Sequence, residues 1–349
     1  MVVQLSRLRL RIAPLVADNL PPVLPRLALS IVIPVYNGAR SIADLVHALE
    51  NLSIAGGHEI VLVDDGSADH TLAVCYALFD TASVPMTIVS LARNYGEHNA
   101  VMAGLRYASG AHVITMDDDL QNPPEEVERL LAFAQRNGKD VVYTYYYRKR
   151  HAVWRNLASG LANRVADIVL DKPRGLYLSS FRCLTAFVVR EIIRYEGPFP
   201  YVDGLILQVT HDMERLLVGH LPRAAGSSNY TMRRLLRLWM NMFVNFSVMP
   251  LRISTVTGFA LSALGAVGVA MAIGEALLSS PPPGWASLMA ALLLLSGVQL
   301  LILGIIGEYL GRLYLTANHR PQSVVKEVRC TEPQHPVAHR SPDWLSKRA

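Results

Sequence analysis

Apolar positions in the first half of the chain follow two alternating patterns. Runs rich in Val and Ile predict five strands, over Leu27–Val35 (LALSIVIPV), His58–Val63, Val84–Leu91, Ala111–Met116 and Asp140–Tyr146. Between them, apolar residues recur at three- and four-residue spacing, as in Ile42, Leu45, Val46 and Leu49. This spacing predicts helices over Ala39–Leu52, Asp69–Leu78, Glu97–Ala108 and Glu125–Gln135. Pro123-Pro124 stand just ahead of the last of these, where a helix start tolerates proline. Strands alternating with helices of this length build right-handed β-α-β units and a mostly parallel sheet.

The pattern then changes. His151–Leu170 and Thr231–Val248 are amphipathic helix candidates that place Arg and Trp beside an apolar face. The first fits a helix packed on the core or one lying on a membrane. The second runs straight into apolar sequence and reads as interfacial. Ile253–Gly274 and Ala276–Gly307 contain no charged residue, and each exceeds the ~20 residues a helix needs to cross a bilayer. The turn between them (Ser279–Trp285) has no Lys or Arg, whereas Arg233, Arg234, Arg237 and Arg252 precede the pair and Arg312, His319, Arg320 and Lys326 follow it. By the positive-inside rule both ends, and the domain before them, lie in the cytoplasm. The chain therefore reads as a multi-pass protein of the inner (cytoplasmic) membrane.

These two runs explain why 51% of the residues are apolar. The net charge of +5 is modest, and its basic residues crowd toward the membrane-proximal region. Anionic lipid, and not nucleic acid, is the partner this predicts. Cys75, Cys183 and Cys330 are scattered without metal-ligand or redox spacing, which fits reduced thiols. Residues 1–27 are basic, with no acid before Asp18, and lack the compact apolar core of a signal peptide; a flexible or membrane-grazing arm is expected.

In parallel sheets ligands bind at the carboxyl ends of the strands. Pro34–Asn37, Asp64-Asp65, Arg93-Asn94 and Asp117-Asp118-Asp119 all fall at such ends. Neither phosphate-cradling glycine motif, GxGxxG or GxxxxGK[ST], is present, so a nucleotide diphosphate bound here must be held another way, and a metal is the obvious candidate. Asp117 and Asp119 are two apart, and on an extended segment they face the same way. Their hard oxygens suit Mg²⁺ or Mn²⁺. Asp118 would then point away and be dispensable.

The segments IPVYN, VDDGSAD, ARNYGEHNAVMAGL, TMDDDLQNPPEE, RAAGSSNY and GEYLGRLY, in that order over about Leu29–Pro321, resemble the polyprenyl-phosphate branch of glycosyltransferase family 2. RNYGEHNAVMAG and DDDLQNPPEE are most similar to its undecaprenyl-phosphate 4-deoxy-4-formamido-L-arabinose transferases. The resemblance implies an α/β fold of the GT-A (Rossmann-like) type over 28–230, binding a nucleotide sugar. The rest of the chain then divides into an interfacial amphipathic helix (231–252), a two-helix transmembrane hairpin (253–311) and a cytoplasmic tail (312–349). Carried over by position, Pro34 and Tyr36 would line the base, Asp65 would accept the uracil N3–H with Asp64 beside it, and Arg93 would meet the base edge. Asp117 would lie near ribose and metal, Asp119 would be the principal metal ligand, and Gln121 would sit close to the donor. Arg182, with Arg223, Ser228, Asn229 and Tyr230, would hold the phosphate of a polyprenyl phosphate acceptor. A homo-oligomer is implied by resemblance alone.

Two departures stand out. Many relatives carry Glu after the YN pair, where this chain has Gly38, and some carry an acid in the segment equivalent to Gly175–Phe181, where this chain has none. The alternatives are a catalytically degenerate nucleotide-sugar-binding membrane protein, or a transferase with a different lipid or glycan acceptor. A processive synthase fits poorly, because no QxxRW-like element is present. His98, His112, Asp203 and Asp212 read as structural, and Tyr143–Tyr147 as a strand and its exit.

Overall fold

The computed structural model describes residues 27–146, 176–219, 249–278, 284–318 and 320–331. Four parallel strands form its centre: β1 (Leu29–Val35), β2 (His58–Asp64), β3 (Met86–Leu91) and β4 (His112–Thr115). Their residues alternate between two cores. Ile31, Ile33 and Val35 of β1 face one side with Ile60 and Leu62 of β2, while Val32, Val61 and Val63 face the other. On the first side pack α1 (Ile42–Glu50), α2 (Thr71–Thr81) and α4 (Glu125–Asn137). On the second pack α3 (Glu97–Leu105), α5 (Ala186–Ile192) and α6 (Val202–Val209). Burial on both faces is why these strands are mostly apolar, and each fully buried Ile, Leu or Val contributes about 1.5–3 kcal/mol.

The sheet has eight strands in the order β7-β5-β6-β4-β1-β2-β3-β8. The expected fifth strand, β5 (Val141–Tyr145), is present, but it does not lie beside β4. A short strand, β6 (Arg182–Thr185), enters between them and runs antiparallel to both. Beyond β5, in parallel with it, lies β7 (Met213–Leu217). The chain runs from β1 outward through β2 to β3 and then returns to the opposite side of β1 for β4, so the switch point lies between β1 and β4.

Two long helices follow, α7 (Met249–Leu278) and α8 (Trp285–Ala317). Among the described residues one segment, Leu295–Ala317 of α8, is long and apolar enough to cross a membrane. Phe259, Met271, Leu288, Leu300 and Leu310 of these helices are exposed. The next residues form β8 (Val325–Cys330), antiparallel to β3 at the sheet edge, a strand that the division at 312 did not place. The buried Gln322 amide donates to the Gly197 carbonyl (3.1 Å), and Arg106 donates to its oxygen (3.2 Å). Arg312 stacks 5.4 Å from the Phe199 ring. The end of α8 is thus fastened to the loop that leads into α6. The arm (1–26), the amphipathic candidate His151–Leu170 and most of the proposed interfacial helix lie outside the described residues.

The β2 and β3 loops meet at Gly66, whose φ of +65° is the left-handed region. A Cβ there would stand 2.6 Å from Arg93 Cα and 2.7 Å from Asn94 N, both backbone atoms with little room to yield. Gly138 has a similar φ of +59° but open space around it. Gly66→Ala should therefore cost about 2–4 kcal/mol, backbone strain plus overpacking, and Gly138→Ala about 1 kcal/mol. Denaturant unfolding of the two variants checks the difference; equal losses would mean the loops do not touch as described.

Candidate functional site

The loops leaving β1, β2, β3 and β4 gather at one sheet edge, on both sides of the switch point. Side chain to backbone bonds stitch them together. Asn37, at φ +56°, donates its N–H to Ser67 Oγ (3.0 Å) and accepts from the Ala68 N–H (2.9 Å), joining the β1 and β2 loops. Asp65 accepts from the N–H groups of Tyr95 (2.7 Å) and Gly96 (2.8 Å), joining the β2 and β3 loops. The Ser67 N–H donates to Asp64 Oδ1 (3.2 Å). Tyr36 stands 49% exposed at the edge, and the exposed Arg93 lies 4.8 Å over the Tyr95 ring.

Pro34, Tyr36, Asp64, Asp65 and Arg93 are thus brought to one edge, as expected. Asp65 differs from expectation in its commitments. It is 2% exposed, and both its oxygens already serve the β3 loop, so a base contact would share the carboxylate with two amides. Burial pushes its pKa up, with the Asp64 charge adding to it, against the opposing pull of the two N–H donors.

The three adjacent aspartates need a correction. Strand β4 ends at Thr115, so the alternation of a pleat does not extend through them. They occupy a bend closed by Leu120 at φ +57°. Asp117 turns toward β6, where Ser180 Oγ donates to its Oδ2 (2.7 Å) and Thr115 Oγ1 holds the Ser180 carbonyl (2.6 Å). Burial raises the Asp117 pKa to about 6, with the Glu97 charge adding to it. Asp119 accepts the Gln121 N–H on Oδ1 (3.2 Å), a tight local turn that keeps Gln121 beside it. Asp118 points away from Ser180 and fills the space beside Gly38 of the β1 loop, where a Cβ would overlap its carboxylate.

Arg182 also departs from expectation. It opens β6 opposite Thr115, and its side chain is buried and not turned to the edge. Its guanidinium is paired with Asp203 of α6, which also accepts from the Tyr143 hydroxyl (3.0 Å). Burial is the largest single influence and lowers the Arg182 pKa, but the Asp203 charge and hydrogen bond, with Tyr143 and Glu97, together raise it, and the net shift is upward. Arg182 Nε has no hydrogen-bond partner. Beside this group, His98 packs edge-on to Tyr201 at 5.1 Å, and burial lowers its pKa to about 4, so it is neutral at physiological pH. A buried cation under Asp117 cannot grip an acceptor as placed. Its positive charge favours the Asp117 carboxylate instead.

Asp203 is structural and Tyr143 lies in a strand, as expected, but their shared pairing with Arg182 and the contacts of Ser180 and Glu97 with Asp117 were not foreseen. The signal for Asp203 was present: it is the one acid in the otherwise apolar helix VDGLILQV. Such a residue, buried, needs a partner. Arg223, Ser228, Asn229 and Tyr230 lie outside the described residues. Among the described residues, no cluster of three or more His, Cys, Asp or Glu stands ready to hold a metal ion. Asp117 and Asp119 supply two hard oxygen donors. That set fits a cation carried mainly by substrate phosphates, the manner in which Mg²⁺ usually binds.

Residues 30–190 match glycosyl transferase family 2, and residues 249–313 match the GtrB C-terminal hairpin. An undecaprenyl-phosphate 4-deoxy-4-formamido-L-arabinose transferase of Pseudomonas savastanoi pv. phaseolicola is 34% identical over 86% of this chain and 90% of its own length. A transferase of the same name from Yersinia pestis is 32% identical over 86% and 93%. Among solved structures, Mycobacterium tuberculosis glucosyl-3-phosphoglycerate synthase in complex with Mn²⁺, UDP-glucose and phosphoglyceric acid covers 62% of this chain and 78% of its own, at 18% identity and a TM-score of 0.46.

Removing Asp203 leaves the Arg182 charge buried without its counter-ion. Asp203→Ala should cost about 3–5 kcal/mol in denaturant unfolding, and the apolar pair Arg182→Met with Asp203→Leu should recover most of that loss. A small effect of the single change would place Arg182 in water.

Proposed function

The chain belongs to the polyprenyl-phosphate branch of glycosyltransferase family 2, and on that footing we propose that it moves a sugar from a UDP-sugar to undecaprenyl phosphate at the cytoplasmic face of the membrane, with inversion at the anomeric carbon. The observation that carries the proposal is the strand-end edge itself: Asp117 and Asp119 at the switch point, beside Asp64, Asp65, Tyr36 and Arg93, on a chain whose relatives of the same length bear that name. The product is a lipid-linked sugar, of use in cell-envelope glycan assembly or lipid A modification.

Helices α7 and α8 serve as a membrane hairpin in this reading. Support comes from the charge-free runs, the exposed apolar side chains and the apolar segment of α8. The hairpin holds the sheet edge at the depth of the acceptor's phosphate. Tyr36 and Arg93 take the base of the donor. Asp117 and Asp119 would hold Mg²⁺ or Mn²⁺, which when bound would counter the charge on the leaving diphosphate.

The acceptor is a phosphate monoester with a second pKa near ~6, already an anion at neutral pH. No general base is required of the chain, so the lack of an acid in residues 175–181 does not bar the reaction. What the residues must supply is alignment of a phosphate oxygen behind the anomeric carbon. Arg223, Ser228, Asn229 and Tyr230 are proposed for that grip, with arginine's fork suited to phosphate. Arg182 acts from below, through Asp117.

A panel of nucleotide sugars offered to the purified chain with undecaprenyl phosphate, read by mass spectrometry, tests the proposal. One donor should yield a glycosyl phospholipid, and Asp119→Ala should lower the rate by at least about a hundredfold. No product from any donor would defeat it. The pH profile has a definite sign. Asp117 takes up a proton as pH falls through about 6, and below that point it is no ligand for a cation. Calorimetric affinity for Mn²⁺ in the absence of donor and acceptor should therefore weaken as pH falls, with a midpoint near 6. The Ser180 hydrogen bond favours the charged carboxylate, so Ser180→Ala should move that midpoint to higher pH.

A further inference from the structure

We infer that Gly38 and Asp118 work as one unit: the missing side chain at 38 seats the Asp118 carboxylate in the switch-point crevice, where it accepts N–H or O–H groups from the nucleoside half of the donor. This rests on the proposed function and adds to it a residue that reads the donor.

Three observations support it. First, the two residues come from the two loops that flank the crevice, Gly38 after β1 and Asp118 after β4. In open α/β sheets that crevice is where a ligand enters. Second, Gly38 is not among the glycines at positive φ, so its backbone does not require glycine. Space does. A Cβ built there would stand 2.8 Å from Val35 Cγ1 and 3.2 Å from Asp118 Cγ, and would overlap Asp118 Oδ2 outright. Any side chain at 38 evicts the carboxylate. Third, the aspartates separate by direction. Asp117 is drawn to Ser180 and feels Glu97 and Arg182, on the β6 and α3 side. The Asp118 charge instead falls with those of Asp64 and Asp69 on the Cys75 thiol of α2, on the β1 and β2 side. That is the side of Tyr36, proposed for the base, and of Asp64. The contact with Gly38 places the Asp118 carboxylate against the β1 loop that carries Tyr36, and leaves Asp117 and Asp119 for the diphosphate and its cation.

The test is calorimetric titration of the full-length protein in detergent with UDP and, separately, with pyrophosphate, both with Mn²⁺. The variants are Asp118→Ala, Asp118→Asn, Gly38→Ala and the double change Gly38→Ala/Asp118→Ala, each checked for wild-type thermal unfolding. Loss of a hydrogen bond to a charged group predicts UDP binding weakened about tenfold or more in Asp118→Ala and Gly38→Ala, and a smaller loss in Asp118→Asn, which keeps an acceptor oxygen without the charge. The double variant should be no weaker than Asp118→Ala alone, because the two changes remove the same contact. Pyrophosphate, which has no nucleoside, should bind all of them like wild type. UDP binding unchanged in Asp118→Ala overturns the inference and leaves the proposed function standing. An equal loss for pyrophosphate also overturns it, by placing Asp118 on the cation or diphosphate. Additive losses in the double variant break the unit apart. Wild-type protein that binds neither UDP nor any of GDP, CMP and dTDP defeats the proposed function itself.

Discussion

Carboxylates crowded at one sheet edge are the constraint to which the rest of this protein answers. Two unit charges 4 Å apart near a protein surface repel by about 4 kcal/mol. The chain nevertheless brings Asp64, Asp65, Asp117, Asp118 and Asp119 to the ends of β2 and β4. It manages this by fixing them to donors: Asp64 to the Ser67 amide, Asp65 to two amides of the β3 loop, Asp117 to the Ser180 hydroxyl and Asp119 to the Gln121 amide. Each bond also fixes a loop, so the stabilisation of charge and the shaping of the edge are the same set of contacts. In the proposed function, a divalent cation with its diphosphate completes the balance.

Beneath the edge the charge logic is repeated in a drier setting. Arg182 is buried where only a full ionic partner can hold it, and Asp203 with the Tyr143 hydroxyl supplies one. The helix carrying Asp203 follows the loop on which the end of α8 is fastened, through Arg312 against Phe199 and Gln322 against the Gly197 carbonyl. Strand β8 then seals the far edge of the sheet against β3. The end of α8 and the residues after it are therefore built into the α/β domain at two points.

Much of this was legible in the sequence because burial on both faces leaves a plain record. The strands β1 to β5 and the helices between them stand where the apolar periods place them, and the polar residues at their ends do share one edge. What was illegible had short-range causes. Strand β6 is four residues long, too short for any period to show. Strand β8 is half charged (VKEVRC) because it lies at an edge, where charge is an ordinary device, and it reads as tail. The strand's alternation stops at Thr115, and placing Arg182 by resemblance did not foresee its burial against Asp203. Where a strand ends, and which way a long cation folds, depend on contacts from Gly38 and Asp203, far away in sequence.

The account stands most directly on whether the acidic edge needs a cation to accept a nucleotide. Isothermal titration of UDP into the detergent-solubilised full chain, with Mn²⁺ and again in excess EDTA, measures this. Binding with the metal and at least about a hundredfold loss without it is the predicted result. UDP binding of equal strength in EDTA would contradict it, since the aspartates would then face the diphosphate with nothing between them.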